Sequence, residues 1–216
     1  MRKILRGTVE RLNGRTVRLL MMILSAAALQ ACTSLPREVA PAVMTYEGLP
    51  NFDRVDVAGH LYRGAQPKNI GVQKLAQLHI KTIVDLLPDK ERSPAEREEA
   101  THANVNYVDS YPDPKTGRPT RIAMNGFFQP KVETVDGVLA IINNSKNQPV
   151  FVHCSYGKDR TGTIVACHRI RYDNYSAQQA IQEAMRNSMG WWEVPLRCFI
   201  RNYAKLHPPL RPKRAL

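Results

Sequence analysis

Residues His153 to Gly162 read His-Cys-Ser-Tyr-Gly-Lys-Asp-Arg-Thr-Gly, with Cys154 six positions before Arg160. A thiol and a guanidinium at that spacing can do chemistry on an anion if the chain between them folds into a cradle. Upstream lies the apolar run Pro149-Val150-Phe151-Val152, and downstream Thr163-Ile164-Val165-Ala166. The pattern predicts a buried strand, a tight loop and the first turns of a helix. Such a loop turns its backbone N–H groups inward at the positive end of a helix dipole, where an anion binds. Arg160 adds a planar fork matched to two phosphate oxygens. The same field favours thiolate over thiol at Cys154, which makes it a nucleophile near neutral pH. The bland alternative is a buried structural cysteine beside a surface arginine.

The elements that must position this loop follow from periodicity. Leu61–Arg63 reads as a short strand, Ile70–Leu78 as a helix with Val72, Leu75 and Leu78 on one face, and Ile80–Leu86 as a buried strand. Ser93, Pro94 and Glu96 form a helix start, with Ser93 as N-cap and Glu96 completing a capping box. Val105–Val108 is another strand. Pro130 opens a helix carrying Val132, Val135, Val138, Leu139 and Ile142 on one face. The strand at 150–153 leads into the loop and a helix reaching Tyr172; Ser176 caps a helix over Ala177–Met189, and Val194–Leu206 ends the domain. Alternating strands and helices predict an α/β fold: a single domain with a central, mainly parallel sheet and helices on both faces. At 216 residues the chain is long enough for one such core and short for two.

The stretch around Cys154 resembles the signature loop of the cysteine-dependent protein tyrosine phosphatase superfamily. Within it, the nearest likeness is to the small dual-specificity-like phosphatases of bacteria and fungi, whose loops often read Gly-Lys-Asp-Arg-Thr-Gly. Leu61-Tyr62-Arg63-Gly64-Ala65-Gln66-Pro67 and Lys81-Thr82-Ile83-Val84-Asp85-Leu86 match further family segments, so the likeness runs from about Asn51 to about Leu206. It implies hydrolysis of phosphate monoesters, of the phosphotyrosine or dual-specificity type, through a cysteinyl-phosphate intermediate. Cys154 would attack phosphorus, and Arg160 would gather the charge that develops on the equatorial oxygens. The loop Ser155, Tyr156, Gly157, Lys158, Asp159 and Arg160 would bind the phosphate. His153 would fix the loop and lower the thiol pKa, and Thr161 would donate to the departing sulfur. Lys158 resembles the extra lysine of superfamily members that act on phosphoinositides; a solvent-facing lysine is the equal alternative. Asp159 reads as a brace for the loop. No cofactor or metal is implied: the six histidines are scattered and Cys-x-x-Cys is absent.

The general acid is where the pattern departs. The family usually carries an aspartate about thirty residues before the cysteine to protonate the leaving oxygen. Here Arg121–Gln129 contains no carboxylate. Asp109 and Asp113 lie 45 and 41 residues before Cys154, the latter in the segment Tyr111-Pro112-Asp113-Pro114-Lys115-Thr116-Gly117. Asp113 is the preferred candidate, with a turn residue as the equal alternative. If neither reaches the site, good leaving groups such as aryl phosphates or phosphoanhydrides are favoured. The expected partner is a phosphorylated protein, or a phosphorylated small molecule or lipid. Two alternatives stay open: a phosphoinositide or inositol-phosphate phosphatase, and a non-catalytic phosphate-binding module.

The N-terminal region reads separately. Six basic residues from Arg2 to Arg18 precede the apolar run Leu19–Leu29, which is short for a membrane span, and Leu29-Gln30-Ala31-Cys32 follows. That ending resembles the lipobox of bacterial lipoproteins. It implies a signal peptide over 1–31, lipidation of Cys32, and a membrane-anchored lipoprotein of the bacterial envelope; Thr33 rather than Asp after the cysteine points to the outer membrane. An uncleaved anchoring helix is the alternative. Residues 32–50 then read as an extended tether, 51–206 as the phosphatase-like domain and 207–216 as a basic tail. A net charge of +12 comes partly from these ends, and no nucleic-acid motif accompanies it. Cys167, Cys198 and the pair Trp191-Trp192 are expected in the core, with a Cys167–Cys198 disulfide and a membrane interface for the tryptophans as the alternatives.

Overall fold

The computed structural model describes residues 46–125 and 128–210. The signal, Cys32 and most of the tether lie outside the described residues, as do 211–216 of the tail. In chain order the strands are β1 (Asp53–Arg54), β2 (Leu61–Ala65), β3 (Thr82–Asp85), β4 (Asn106–Val108), β5 (Ser110–Pro112), β6 (Pro119–Arg121) and β7 (Val150–Cys154). The α-helices are α1 (Gly71–Gln77), α2 (Pro94–His102), α3 (Val132–Asn143), α4 (Asp159–Tyr172), α5 (Ala177–Arg186) and α6 (Val194–Leu206), with a 3-10 turn at Asp89–Glu91.

Every residue of β7 is buried because the strand is flanked on both edges and covered on both faces. The main sheet runs β1-β2-β7-β3-β4, parallel throughout except for the antiparallel edge strand β1. Successive side chains leave a strand on opposite faces. Val84, Val150 and Val152 therefore meet Val135, Val138 and Leu139 of α3, Ile164 of α4 and Phe199 of α6. Ile83 and Phe151 point the other way, onto Val72 and Leu75 of α1 and Ala100 of α2. The two-sided α/β architecture read from periodicity is the one observed. Register then sets the site: Cys154 pairs with Ala65, and His153 lies between Gly64 and Asp85.

Several local expectations need correction. Tyr46–Pro50 is not extended tether: Leu49 is buried in the second cluster, and the Ala65 amide donates to the Pro50 carbonyl at 2.8 Å. The start of the tail is held too, with His207 stacked on Tyr203 and the Leu210 amide bound to the Arg171 carbonyl. The helix after Ser176 stops at Arg186, because Ser188 takes a left-handed φ of 70°. Hairpin β5–β6 gave no alternating apolar signal, since Pro112, Pro119 and Arg121 are exposed. Cys198 is only half-buried. Trp191 and Trp192 are 72% and 61% exposed, so neither belongs to the core.

Ile83 carries no exposed surface on a central strand. Ile83→Ala is expected to cost about 2–5 kcal/mol of stability by chemical denaturation.

Candidate active site

Cys154 ends β7, and the chain turns at Ser155–Lys158 before α4 begins at Asp159. This is the strand, loop and helix that the spacing predicts. The turn is tight because Gly157 adopts φ +69° and lies against the backbone of Gly64 and Ala65. A Cβ there would overlap the Gly64 carbonyl group. Two side chains from the start of the domain hold the loop from outside. Arg63 is buried in β2 and donates from Nη2 to the Gly157 carbonyl at 2.7 Å. Asn51 donates from Nδ2 to the Tyr156 carbonyl at 2.7 Å. From within the loop, Asp159 accepts the Gly190 amide at 2.9 Å, which ties the loop to the turn before α6. Asp159 is thus a brace.

Arg160 lies in the first turn of α4 and is nearly buried. Its Nη1 donates to Glu91 Oε2 at 2.8 Å and to the Met124 carbonyl at 3.3 Å, and its Nη2 donates to Ser155 Oγ at 2.9 Å. The guanidinium is therefore fixed beside the loop before any substrate arrives. Burial alone pushes the Cys154 thiol up. The hydroxyl and amide of Thr161, the charge of Arg160 and the Tyr156 amide outweigh it, so the pKa falls below the usual thiol value. Among the described residues, no oxygen or nitrogen pairs with the buried Thr161 hydroxyl. Tyr156 is exposed on the loop and Lys158 is partly exposed, which puts a cation at the rim.

Behind the loop stands a buried set of charges. His153 Nε2 lies 2.9 Å from Glu96 Oε1 and 4.0 Å from Asp85 Oδ1. Asp85 pairs with Arg92 Nε at 3.2 Å and accepts the Tyr107 hydroxyl at 2.5 Å and the Leu87 amide at 2.8 Å. Among the described residues, Asp85, Glu96 and His153 gather metal-type donor atoms within 4.8 Å. Asp85 faces Arg92 and Glu96 faces His153, so the group reads as an ion-pair network.

The two candidate acids do not join the site. Asp109 is buried and bound to Arg97, Arg121 and Arg92. Asp113 sits in the β5–β6 turn, where its Oδ1 accepts the Lys115 and Thr116 amides at 2.8 Å each. Those two amides lower the Asp113 pKa, so the carboxyl is ionised at neutral pH, the opposite of what a proton donor needs. Asp113 is thereby corrected to a turn residue. The strand–loop–helix pattern could not reveal Arg63, Asn51, Glu91 or Glu96. Only Arg63 left a sign in the sequence: a charged residue at an inward position of a short apolar strand.

With this geometry established, relatives identify the lineage. The profile of the tyrosine phosphatase family matches residues 49–207. The chain belongs to the tyrosine phosphatase family. It is 29% identical over 150 residues to the inositol diphosphatase SIW14 of Saccharomyces cerevisiae, covering 67% of this chain and 48% of that one. It is 25% identical over 145 residues to the dual specificity protein phosphatase TpbA of Pseudomonas aeruginosa, covering 65% of this chain and 57% of that one. The chain thus spans about half the length of these relatives. In structure, the catalytic domain of SIW14 matches with a TM-score of 0.58 at 24% identity, covering 71% of this chain and 85% of that one. That likeness is one of fold.

Gly157→Ala adds a Cβ where the backbone of Gly64 already stands and forces a left-handed φ on alanine. It is expected to cost more than about 1 kcal/mol in denaturation and to abolish binding of inorganic vanadate by the loop.

Proposed function

We propose that this phosphatase-family chain is a cysteine-dependent phosphohydrolase whose preferred substrate is a phosphoanhydride on a heavily phosphorylated small molecule, such as an inositol diphosphate. The observation that carries the reading is the engagement of both candidate acids elsewhere, Asp113 in its turn and Asp109 in its ion pairs. An alkoxide leaving group needs a proton in the transition state, whereas a phosphate leaving group departs as a stable anion. The Cys154 thiolate attacks phosphorus and the bond to the leaving oxygen breaks. Arg160 and the loop amides hold the equatorial oxygens meanwhile. Water then attacks phosphorus in the cysteinyl phosphate, the P–S bond breaks, and the Thr161 hydroxyl donates to the sulfur. Lys158 at the rim suits a substrate bearing further phosphates. The kinship with a yeast protein named inositol diphosphatase supports this substrate class. The phosphotyrosine reading is retained as the second, on the exposed Tyr156 beside the nucleophile and the likeness to TpbA.

Turnover of an inositol diphosphate, an aryl phosphate and a phosphotyrosine peptide by the purified chain decides between them. The diphosphate is expected to be cleaved with the largest kcat/KM, Cys154→Ser to be inactive on all three, and Asp113→Asn to retain activity within about twofold. A preference for the peptide by tenfold or more, or a large loss in Asp113→Asn, would sink the anhydride reading. We further propose that lipid on Cys32 holds the enzyme at the envelope membrane, on the strength of Leu29-Gln30-Ala31-Cys32. Labelling with a fatty-acid analogue in a bacterial host should mark the native chain and spare Cys32→Ser; an unlabelled native chain rules it out.

A further inference from the structure

Only half of the capping box at the start of α2 forms. The Glu96 amide donates to Ser93 Oγ at 3.4 Å, but the Glu96 side chain does not return to the Ser93 amide. It turns inward instead and is 3% exposed. One carboxylate oxygen faces His153 Nε2 at 2.9 Å, and the other accepts from Gln66 Nε2 at 3.0 Å. A carboxylate moved from water to that depth is costly unless a cation meets it.

His153 is enclosed on all sides. The Phe151 ring stacks on it at 5.7 Å between centroids, and Cys154 follows it in the chain. Glu96 from α2 and Asp85 from β3 face it, Tyr107 from β4 and Arg92 after the 3-10 turn meet Asp85, Asp109 meets Arg92 in turn, and Arg63 from β2 and Arg160 from α4 act on the neighbouring Cys154 instead. Asp85 is already shared among Arg92, Tyr107 and the Leu87 amide. Glu96 is the carboxylate left to His153. Burial opposes the imidazolium, but Glu96 first, then Asp85 and Cys154, more than reverse it, so the His153 pKa lies above its usual value.

We propose that Glu96 is a positioning residue for the nucleophile: it holds His153 as an imidazolium directly behind Cys154 and so keeps the sulfur a thiolate. The inference rests on Cys154 being the nucleophile of the phosphatase proposed above. With glutamine at position 96 the shape is kept and the counter-charge is lost. A dry imidazole then sheds its proton, and Cys154 loses the cation at its back.

The test is a pH titration of the Cys154 thiolate in the full chain, read as ultraviolet absorbance against Cys154→Ser. Glu96→Gln should move the midpoint up by about one pH unit, and the acid limb of kcat/KM should move with it. Gln66→Leu, which removes the hydrogen bond that Glu96 accepts from Gln66 but no charge, should leave the midpoint in place. An unmoved or lowered midpoint in folded Glu96→Gln overturns the proposal, as does an equal shift in Gln66→Leu. Should Glu96→Gln fail to fold, nitrogen NMR of His153 in the native chain decides: an imidazolium at neutral pH sustains the proposal, and a neutral ring overturns it. The absorbance titration needs no substrate. A chain that hydrolyses nothing would therefore remove the phosphatase reading while the midpoint shift is still measured.

Discussion

Two backbones touch at Gly157 and Gly64, and the geometry of the site depends on that contact. A loop that points its amides at one small anion must close within a few residues, so its outer side presses on whatever lies beneath. Here the strand beneath is β2, paired residue for residue with the strand that delivers Cys154. Glycine at position 157 removes the Cβ that would hold the layers apart. The space thus gained lets Arg63 reach the Gly157 carbonyl from below. Sheet register, loop closure and the placing of the sulfur are one constraint seen at three scales.

Charge is arranged around this contact in two layers. Facing the pocket, the loop amides and Arg160, itself paired with Glu91, supply the positive potential that an anion-binding site requires. Glu91 on Arg160 restrains the guanidinium from the side. Behind the pocket, Arg92 meets Asp85 and Asp109, and His153 meets Glu96. Such pairing lets the protein bury ionisable side chains behind the loop.

The sheet, its order of elements and the Cys154–Arg160 loop were legible in the sequence because each rests on local chemistry. Apolar runs marked β3 and β7, Ser93 with Pro94 marked the start of α2, and Ser176 marked α5, whose capping box does form. What stayed hidden depends on distant partners. Glu96 looks like a helix cap from its neighbours, and only the packing of α2 against β7 turns it to His153. Asp113 sits in a Pro/Gly-rich segment that fits a lid or a turn equally well; the amides of Lys115 and Thr116 decide for the turn. Trp191 and Trp192 read as core residues from the sequence, with a membrane interface as the alternative. That expectation ignores how the short turn between α5 and α6, fixed by the Asp159–Gly190 bond, faces its side chains outward.

That turn has an optical consequence. The chain contains two tryptophans, and both stand exposed in it, their rings edge-on with centroids 5.8 Å apart. Through Gly190 the turn hangs from Asp159, a residue of the phosphate loop itself. Indole emission follows the polarity around the ring, and both rings stand in the exposed turn rather than in the core. The intrinsic fluorescence of the described domain therefore reads this turn, one hydrogen bond away from Asp159.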